Sequence, residues 1–455
     1  MTTAVPSAPA PPASMDPVAG RAAAFVDRVF PAPRAFHVRL WDGTVLPAQG
    51  PAGLTLAIQA PGALRRMFRL PLEVHLGEAY LRGDFDLEGD LWEAGPAFAA
   101  ARGVAASPGA LLSLARAWLA LPGGRAARRA DADAARLRGK ALSRAWDREG
   151  IRYHYDAGND FYGLFLDRRM VYSCAYFRTA DDDLDTAQAQ KLEHVCRKLR
   201  LRPGERLLDI GCGWGALAIH AAREHGADVL GVTLSERQAE LARERVRQAG
   251  VEDRVRIELR DYRDLQEGSF DKVSSIGMFE HVGPARLPEY FHQVHRLLRP
   301  GGLFLNHGIG NRPAPALPPL RRVLRRAARR WLLGIGHFTR AYVFPSGGLV
   351  PVSHANAVAE AAGWEVRDVE NLREHYGHTL RHWAQRLESR RDQAVHAAGE
   401  RVFRIWRLYM GVASWQFASG ELAVYQTLLE KPAAAPTSLP LTRDDLYFRG
   451  RLPAG

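Results

Sequence analysis

From Ile151 onward, short apolar runs alternate with amphipathic stretches. Arg206–Ile210 reads as a buried strand, followed by a glycine turn and a helix reaching about Glu224. Asp228–Val232 is the next strand, and Ser235–Ala249 a helix with Ala239, Leu241, Ala242 and Val246 on its apolar side. Val255–Leu259, Phe270–Ile276 and Leu303–His307 complete the series. Strands that alternate with helices predict an α/β fold with a doubly wound parallel sheet. Ligands bind such sheets beyond the carboxyl ends of the strands, so chemistry is expected just after each strand.

The upstream half reads differently. Phe36–Leu46 alternates as a strand, Gly50–Gly53 supplies a turn, and Glu73–Leu91 continues in the same style with Gly77, Gly83 and Gly89 as breaks. A length of 455 residues suggests more than one domain. The predicted division is a disordered lead over 1–33, a small amino-terminal α+β domain over 34–107 and a helical linker over 108–150. A larger domain follows over 151–435, with a tail over 436–455.

Composition narrows the classes. The three cysteines, Cys174, Cys196 and Cys212, are too few and scattered for a disulfide framework or a zinc motif. No run approaches the roughly 18 apolar residues of a membrane span, and the first residues lack the pattern of a signal peptide. A formal net charge of +12 favours anionic partners, nucleic acid or acidic lipid. No RNP-type motif or zinc finger accompanies the charge, so nucleic acid is not expected.

The first strand ends in LLDIGCGWG, Leu207–Gly215. Glycines at a strand-to-helix turn let the backbone approach a ligand closely. Alone, Gly211, Gly213 and Gly215 fit NAD, FAD or S-adenosylmethionine. The G-x-G-x-G spacing after Asp209 departs from the dinucleotide pattern and leans to S-adenosylmethionine, whose ammonium a carboxylate can position. Thr233, Leu234, Ser235 and Gln238 follow the second strand, and Asp261-Tyr262 the third. Their polar groups suit ribose and adenine, while Thr233 and Ser235 also suit capping of the next helix.

Longer motifs are more specific. YHYDAGNDFYGLFLDRRMVYSCAYF (Tyr153–Phe177), FDKVSSIGMFEHVG (Phe270–Gly283), RLLRPGGLFLNHGIG, FPSGG (Phe344–Gly348) and LREHYGHTLRHWAQRL (Leu372–Leu387) occur in this order. Together they closely resemble the cyclopropane-fatty-acyl-phospholipid synthase family, which includes the mycolic acid cyclopropane synthases. LGEAYLRGDFDLEGDLWEA (Leu76–Ala94) resembles the amino-terminal domain of its longer bacterial members. The resemblance implies a Rossmann-like class I methyltransferase domain. It implies S-adenosylmethionine as methyl donor and a bicarbonate ion as base. It also implies a pocket of Cys174, Glu280, His307, Ile309 (through its backbone) and Tyr376, with Tyr172, Ser173, Tyr262 and Arg263 on the cofactor. His154, Asp156 and Asn159 would shape a lid.

The implied reaction methylates a cis double bond of a phospholipid acyl chain and closes a cyclopropane ring; methyl- or methylene-branched products, or a small-molecule amine acceptor, are the alternatives. An alkene is a weak nucleophile, so orientation must supply much of the barrier, roughly 7–11 kcal/mol in favourable cases. The resulting carbocation requires a dry pocket with aromatic faces, for which Tyr176, Phe177 and Phe279 are candidates. A weak base then removes a proton.

Finally, LRRVLRRAARRWLL (Leu320–Leu333) places Leu320, Val323, Leu324, Ala327, Ala328, Trp331 and Leu332 on one helical arc and its arginines on the other. That is the pattern of an interfacial helix on anionic lipid. The expected setting is cytoplasmic, peripheral to the membrane's inner face, with a homodimer left open.

Overall fold

The computed structural model describes residues 16–93, 95, 108–123, 146, 149–150, 157–266, 270–313, 318, 321, 336–344, 348–437 and 439–447. His154, Asp156 and nearly all of the arginine-rich segment 320–333 lie outside the described residues. The chain divides into two compact units, 1–134 with 317–338, and 135–316 with 339–455.

The first unit carries a four-stranded sheet of order β2-β1-β3-β4 (β1 His37–Arg39, β2 Val45–Leu46, β3 Leu54–Ile58, β4 Phe85–Gly89). Four expectations need correction here. The lead is not wholly disordered. Pro17–Val29 is a helix, started by Pro17 and by the Asp16 side chain accepting from the Val18 N–H. Its buried Ala19, Ala22, Phe25, Val26 and Val29 form a stripe, and Phe25 meets Phe68 edge-on at 5.2 Å. The strand predicted over Phe36–Leu46 is two strands, turned at Gly43 with φ +87°. Leu72–Leu81 is a helix, and its Gly77 leaves room for an aromatic ring: a Cβ there would stand 2.2 Å from Phe338. The predicted linker also begins inside this unit. Helix Pro108–Leu119 docks through Trp118, whose Nε1 donates to the Arg65 carbonyl at 3.1 Å.

The second unit is built on a seven-stranded sheet of order β10-β11-β9-β8-β5-β6-β7. β5 (Arg206–Ile210), β7 (Val255–Leu259) and β8 (Phe270–Ile276) have the predicted bounds, and β6 (Asp228–Thr233) is one residue longer. β9 (Leu298–Asn311) extends past the predicted strand in both directions. Apolar side chains bury both faces, as a parallel sheet requires: Leu207 on one, Leu208 and Ile210 on the other. The sheet is not wholly parallel. β10 (Glu365–Asn371) leads into helices Arg373–Ser389 and Glu400–Ala418, and the chain then turns at Gly420 (φ +75°) directly into β11 (Leu422–Glu430). With no crossover back to the far end, β11 must run antiparallel to both β9 and β10. Its insertion puts Gln426 opposite His307.

Candidate active site

The glycine turn is a backbone necessity. Gly211, Gly213 and Gly215 have φ of +78°, +54° and +80°, a region costly for other residues. The Gly211 and Cys212 N–H groups donate to the Val232 carbonyl at 2.9 and 3.1 Å, tying the turn to β6. A cavity opens beyond the strand ends. It is lined by Tyr172, Ser173, Asp209, Gly211, Gly213, Thr233, Leu234, Gln238, Tyr262 and Arg263. Of the cofactor residues expected from sequence, Gly215 and Ser235 do not line it. Gly215 caps helix Ala216–His225, facing Ala242, and Ser235 Oγ accepts from the Gln238 N–H at 3.4 Å. Thr233 Oγ1 donates to Gln238 Oε1 at 2.9 Å, so the polar rim is internally braced.

Three charged groups shape the cavity. Burial raises the Asp209 carboxyl to about 6, opposed by the Ser274 hydroxyl donating at 2.7 Å and by Lys191. Burial lowers the Lys191 ammonium to about 8, opposed by Asp167, Cys174 and Asp209. Its Nζ donates to Ser173 Oγ at 3.1 Å. Arg263 is locked by Asp261 at 2.6 Å. Lys191 was missed in the sequence, although one signal was there: it shares the buried face of helix Leu184–Lys198 with Ala187, Gln188 and Val195.

The residues implied for the pocket fall into two groups, Glu280 with His307 and Ile309, and Cys174 with Tyr376. None of Cys174, Glu280, His307, Ile309 and Tyr376 lines the cavity, but Gly277 and His281 do. Gly277 donates its N–H to the His307 carbonyl at 3.0 Å, and His281 follows Glu280. His307 and Ile309 share one face of β9. The Ile309 N–H donates to Glu280 Oε1 at 2.7 Å. Glu280 Oε2 and His307 Nε2 are buried without a hydrogen-bond partner among the described residues. Burial raises Glu280 to about 7 and lowers His307 to about 3, so that imidazole is neutral near pH 7. Its Nδ1 lies 3.2 Å from Gln426 Nε2, which fixes the tautomer if the amide donates. Cys174 and Tyr376 meet at one backbone atom. The Leu372 carbonyl accepts from the Cys174 thiol at 3.7 Å and from the Tyr376 N–H at 3.1 Å. Burial holds the Cys174 thiol in its protonated form.

The aromatic lining differs from expectation. Tyr176 is sandwiched between the rings of His194 and His375, at 4.3 and 4.8 Å, and Phe177 stacks on His382 at 5.5 Å. Neither lines the cavity: His194 of helix Leu184–Lys198 and His375 and His382 of helix Arg373–Ser389 cover their faces. Phe279 packs under Gly308. A different aromatic group stands beside the site: Tyr172 stacks on Trp383 at 5.2 Å, Trp383 meets Tyr376 edge-on at 6.2 Å, and Tyr376 meets Phe417 at 4.6 Å.

Gly308 lies between His307 and Ile309 on β9. A Cβ there would meet Phe279 Cδ1 at 2.7 Å, pushing apart the strand and the turn that hold Ile309 and Glu280. Gly308→Ala is expected to destabilise the fold by about 1–3 kcal/mol and to lower turnover. Cofactor affinity stays near wild type, because Gly308 does not line the cavity. Denaturant unfolding and calorimetric titration check the pair.

A buried carboxyl and a buried imidazole are thus each left with one polar atom that has no partner among the described residues, which is rare for buried polar groups. Residues 143–427, more than half of the chain, match the family described as mycolic acid cyclopropane synthetase. A probable fatty acid methyltransferase of Pseudomonas putida is 40% identical over 92% of this chain and 98% of its own. The cyclopropane-fatty-acyl-phospholipid synthase of Escherichia coli K12 is 36% identical over 61% of this chain and 66% of its own. Among solved structures, mycolic acid cyclopropane synthase CmaA1 complexed with SAH and CTAB is 32% identical, with a TM-score of 0.56 over 62% of this chain and 98% of that one. The chain belongs to the mycolic acid cyclopropane synthetase family of S-adenosylmethionine-dependent lipid methyltransferases.

Proposed function

We propose that the protein transfers a methyl group from S-adenosylmethionine to a cis double bond of a phospholipid acyl chain and closes a cyclopropane ring. The observation that carries this reading is that Glu280 and His307, linked through Ile309 on the strand that carries His307, are both buried with one polar atom left without a partner among the described residues. S-adenosylmethionine supplies an electrophilic methyl, and bicarbonate, where bound, a weak base. The donor chemistry suits bicarbonate: His307 Nε2 and Glu280 Oε2 are the atoms left without a partner among the described residues and would hold it. The Ile309 N–H is engaged by Glu280, so its part is to orient that carboxyl.

The remaining roles follow from the chain's own groups. Gly211 and Gly213 admit the donor's amino-acid end, and Asp209 faces its ammonium. Lys191 holds Ser173, and Thr233, Gln238 and Tyr262 take the nucleoside. The aromatic rings keep water from the developing cation and offer it their faces. Asp209→Asn removes a charge-assisted contact worth roughly 1.5–3 kcal/mol and is expected to weaken the cofactor by roughly 10- to 100-fold. Because Asp209 binds as the carboxylate, wild-type affinity falls as pH drops below about 6. Titration calorimetry at pH 5 and 7.5 checks this, and an unchanged affinity refutes the assignment.

A methyl- or methylene-branched product is the second reading, favoured by the 40% identity to a probable fatty acid methyltransferase. Mass spectrometry of lipids from an expressing host decides. A gain of one methylene on unsaturated chains that chromatography resolves as a ring supports cyclopropanation; a branch supports the second reading. No gain overturns both. No helix among the described residues is long and apolar enough to cross a membrane. The arginines of segment 320–333 are proposed to dock the enzyme peripherally on acidic phospholipid, each contributing roughly 1 kcal/mol. Replacing four with Gln is then expected to reduce vesicle co-sedimentation at low salt.

A further inference from the structure

We propose that Glu193, Cys196, His220 and His225 form a binding site for a divalent zinc-type cation between helices Leu184–Lys198 and Ala216–His225. The cysteine and the two histidines place ligand atoms within 4.8 Å of one another. Glu193 and Cys196, three apart on one helix, share a face. His220 and His225 come from the facing helix, which Gly226 (φ +64°) ends immediately after His225. The two imidazoles converge on a single atom: His220 Nε2 and His225 Nε2 lie 3.2 and 3.0 Å from Glu193 Oε2. The other carboxylate oxygen, Oε1, is held by Arg197 Nε at 2.6 Å, so Oε2 stays aimed at the histidines.

This donor set selects its ligand. One thiolate, two imidazoles and one carboxylate match the tetrahedral sites of zinc and cobalt, not the all-oxygen shells of magnesium or calcium. At Zn–N of about 2.0–2.1 Å and Zn–S of about 2.3 Å, tetrahedral donors stand about 3.3–3.6 Å apart. The cysteine and the two histidines, no more than 4.8 Å apart, therefore need to close by at most about 1.5 Å. Cys196 is fully buried. Binding converts its thiol to a thiolate and releases that proton to solvent, and the two negative ligands then balance the dication. All four positions come from protein, so the site is structural. It clamps the helix that begins at the glycine turn, outside the cofactor cavity.

The test titrates cobalt(II) into tag-free protein stripped with chelator. Wild type is expected to develop tetrahedral visible bands and a thiolate-to-cobalt charge-transfer band, saturating at one equivalent and erased by zinc. Zinc is expected to raise the unfolding temperature of the wild type. Cys196→Ser loses the charge-transfer band, and His220→Gln binds roughly 100-fold more weakly, at the upper end of losses measured for weaker outer contacts. Both should retain cofactor binding. Should Cys196→Ser fail to fold, His225→Gln replaces it and must show the same weakening. Failure of wild type to give stoichiometric tetrahedral bands, or bands unchanged in the variants, overturns the proposal.

Discussion

Glu280→Gln is expected to cut product formation sharply and yet make the protein more stable above neutral pH. Burial raises the Glu280 carboxyl from an ordinary 4.5 to about 7, against the opposing Ile309 hydrogen bond. A carboxyl whose folded value is raised binds its proton more tightly when folded. That stabilising uptake is complete below about pH 4.5 and is lost as pH rises through about 7. Above pH 7 the wild type carries a buried charge costing about 3 kcal/mol, at 1.36 kcal/mol per unit. Glutamine keeps the shape and can still accept from Ile309, without the charge. The unfolding temperature of the variant should therefore exceed wild type at pH 8 and match it at pH 4. Turnover should fall by roughly 10²- to 10³-fold, the range for losing a preorganised polar group. Cofactor affinity should hold, since Glu280 does not line the cavity. A stability difference of the same size at both pH values would contradict the charge argument.

The sequence made the nucleotide half of the unit readable because its determinants are local. Arg206–Ile210, the three glycines and Ser235 lie within about 30 residues, and each strand is a short apolar run. The order of the remaining strands was hidden. β11 pairs with β9 across more than 100 residues, and its direction follows from where two helices leave the chain rather than from any periodicity. The same distance hid Gln426, whose amide nitrogen lies 3.2 Å from His307 Nδ1. Helix Pro17–Val29 was obscured by its Ala- and Pro-rich approach, although its apolar spacing was present. Tyr176 and Phe177 looked like cation-facing rings because the sequence cannot show that His194, His375 and His382 already cover them.

Trp383→Ala is expected to damage both halves of the site at once, because this ring joins them. It is 1% exposed, on helix Arg373–Ser389. One face stacks on Tyr172, which lines the cofactor cavity, and it meets Tyr376 edge-on at 6.2 Å. Phe165 packs against it as well. Truncation removes the largest side chain of this cluster and leaves a hole, costing about 3–5 kcal/mol. Tyr172 then loses the surface that orients it, so cofactor affinity drops, and Tyr376 loses a wall beside the pocket, so turnover drops independently. Trp383→Phe preserves an aromatic face with less volume and should recover most stability but only part of the turnover. Measuring all three quantities at a temperature where each variant is folded separates positioning from unfolding. A folded Trp383→Ala with wild-type turnover would show that Tyr172 and Tyr376 are set by other contacts. A loss confined to stability would leave the ring a packing element, and a loss in both affinity and turnover makes it the brace between donor and acceptor.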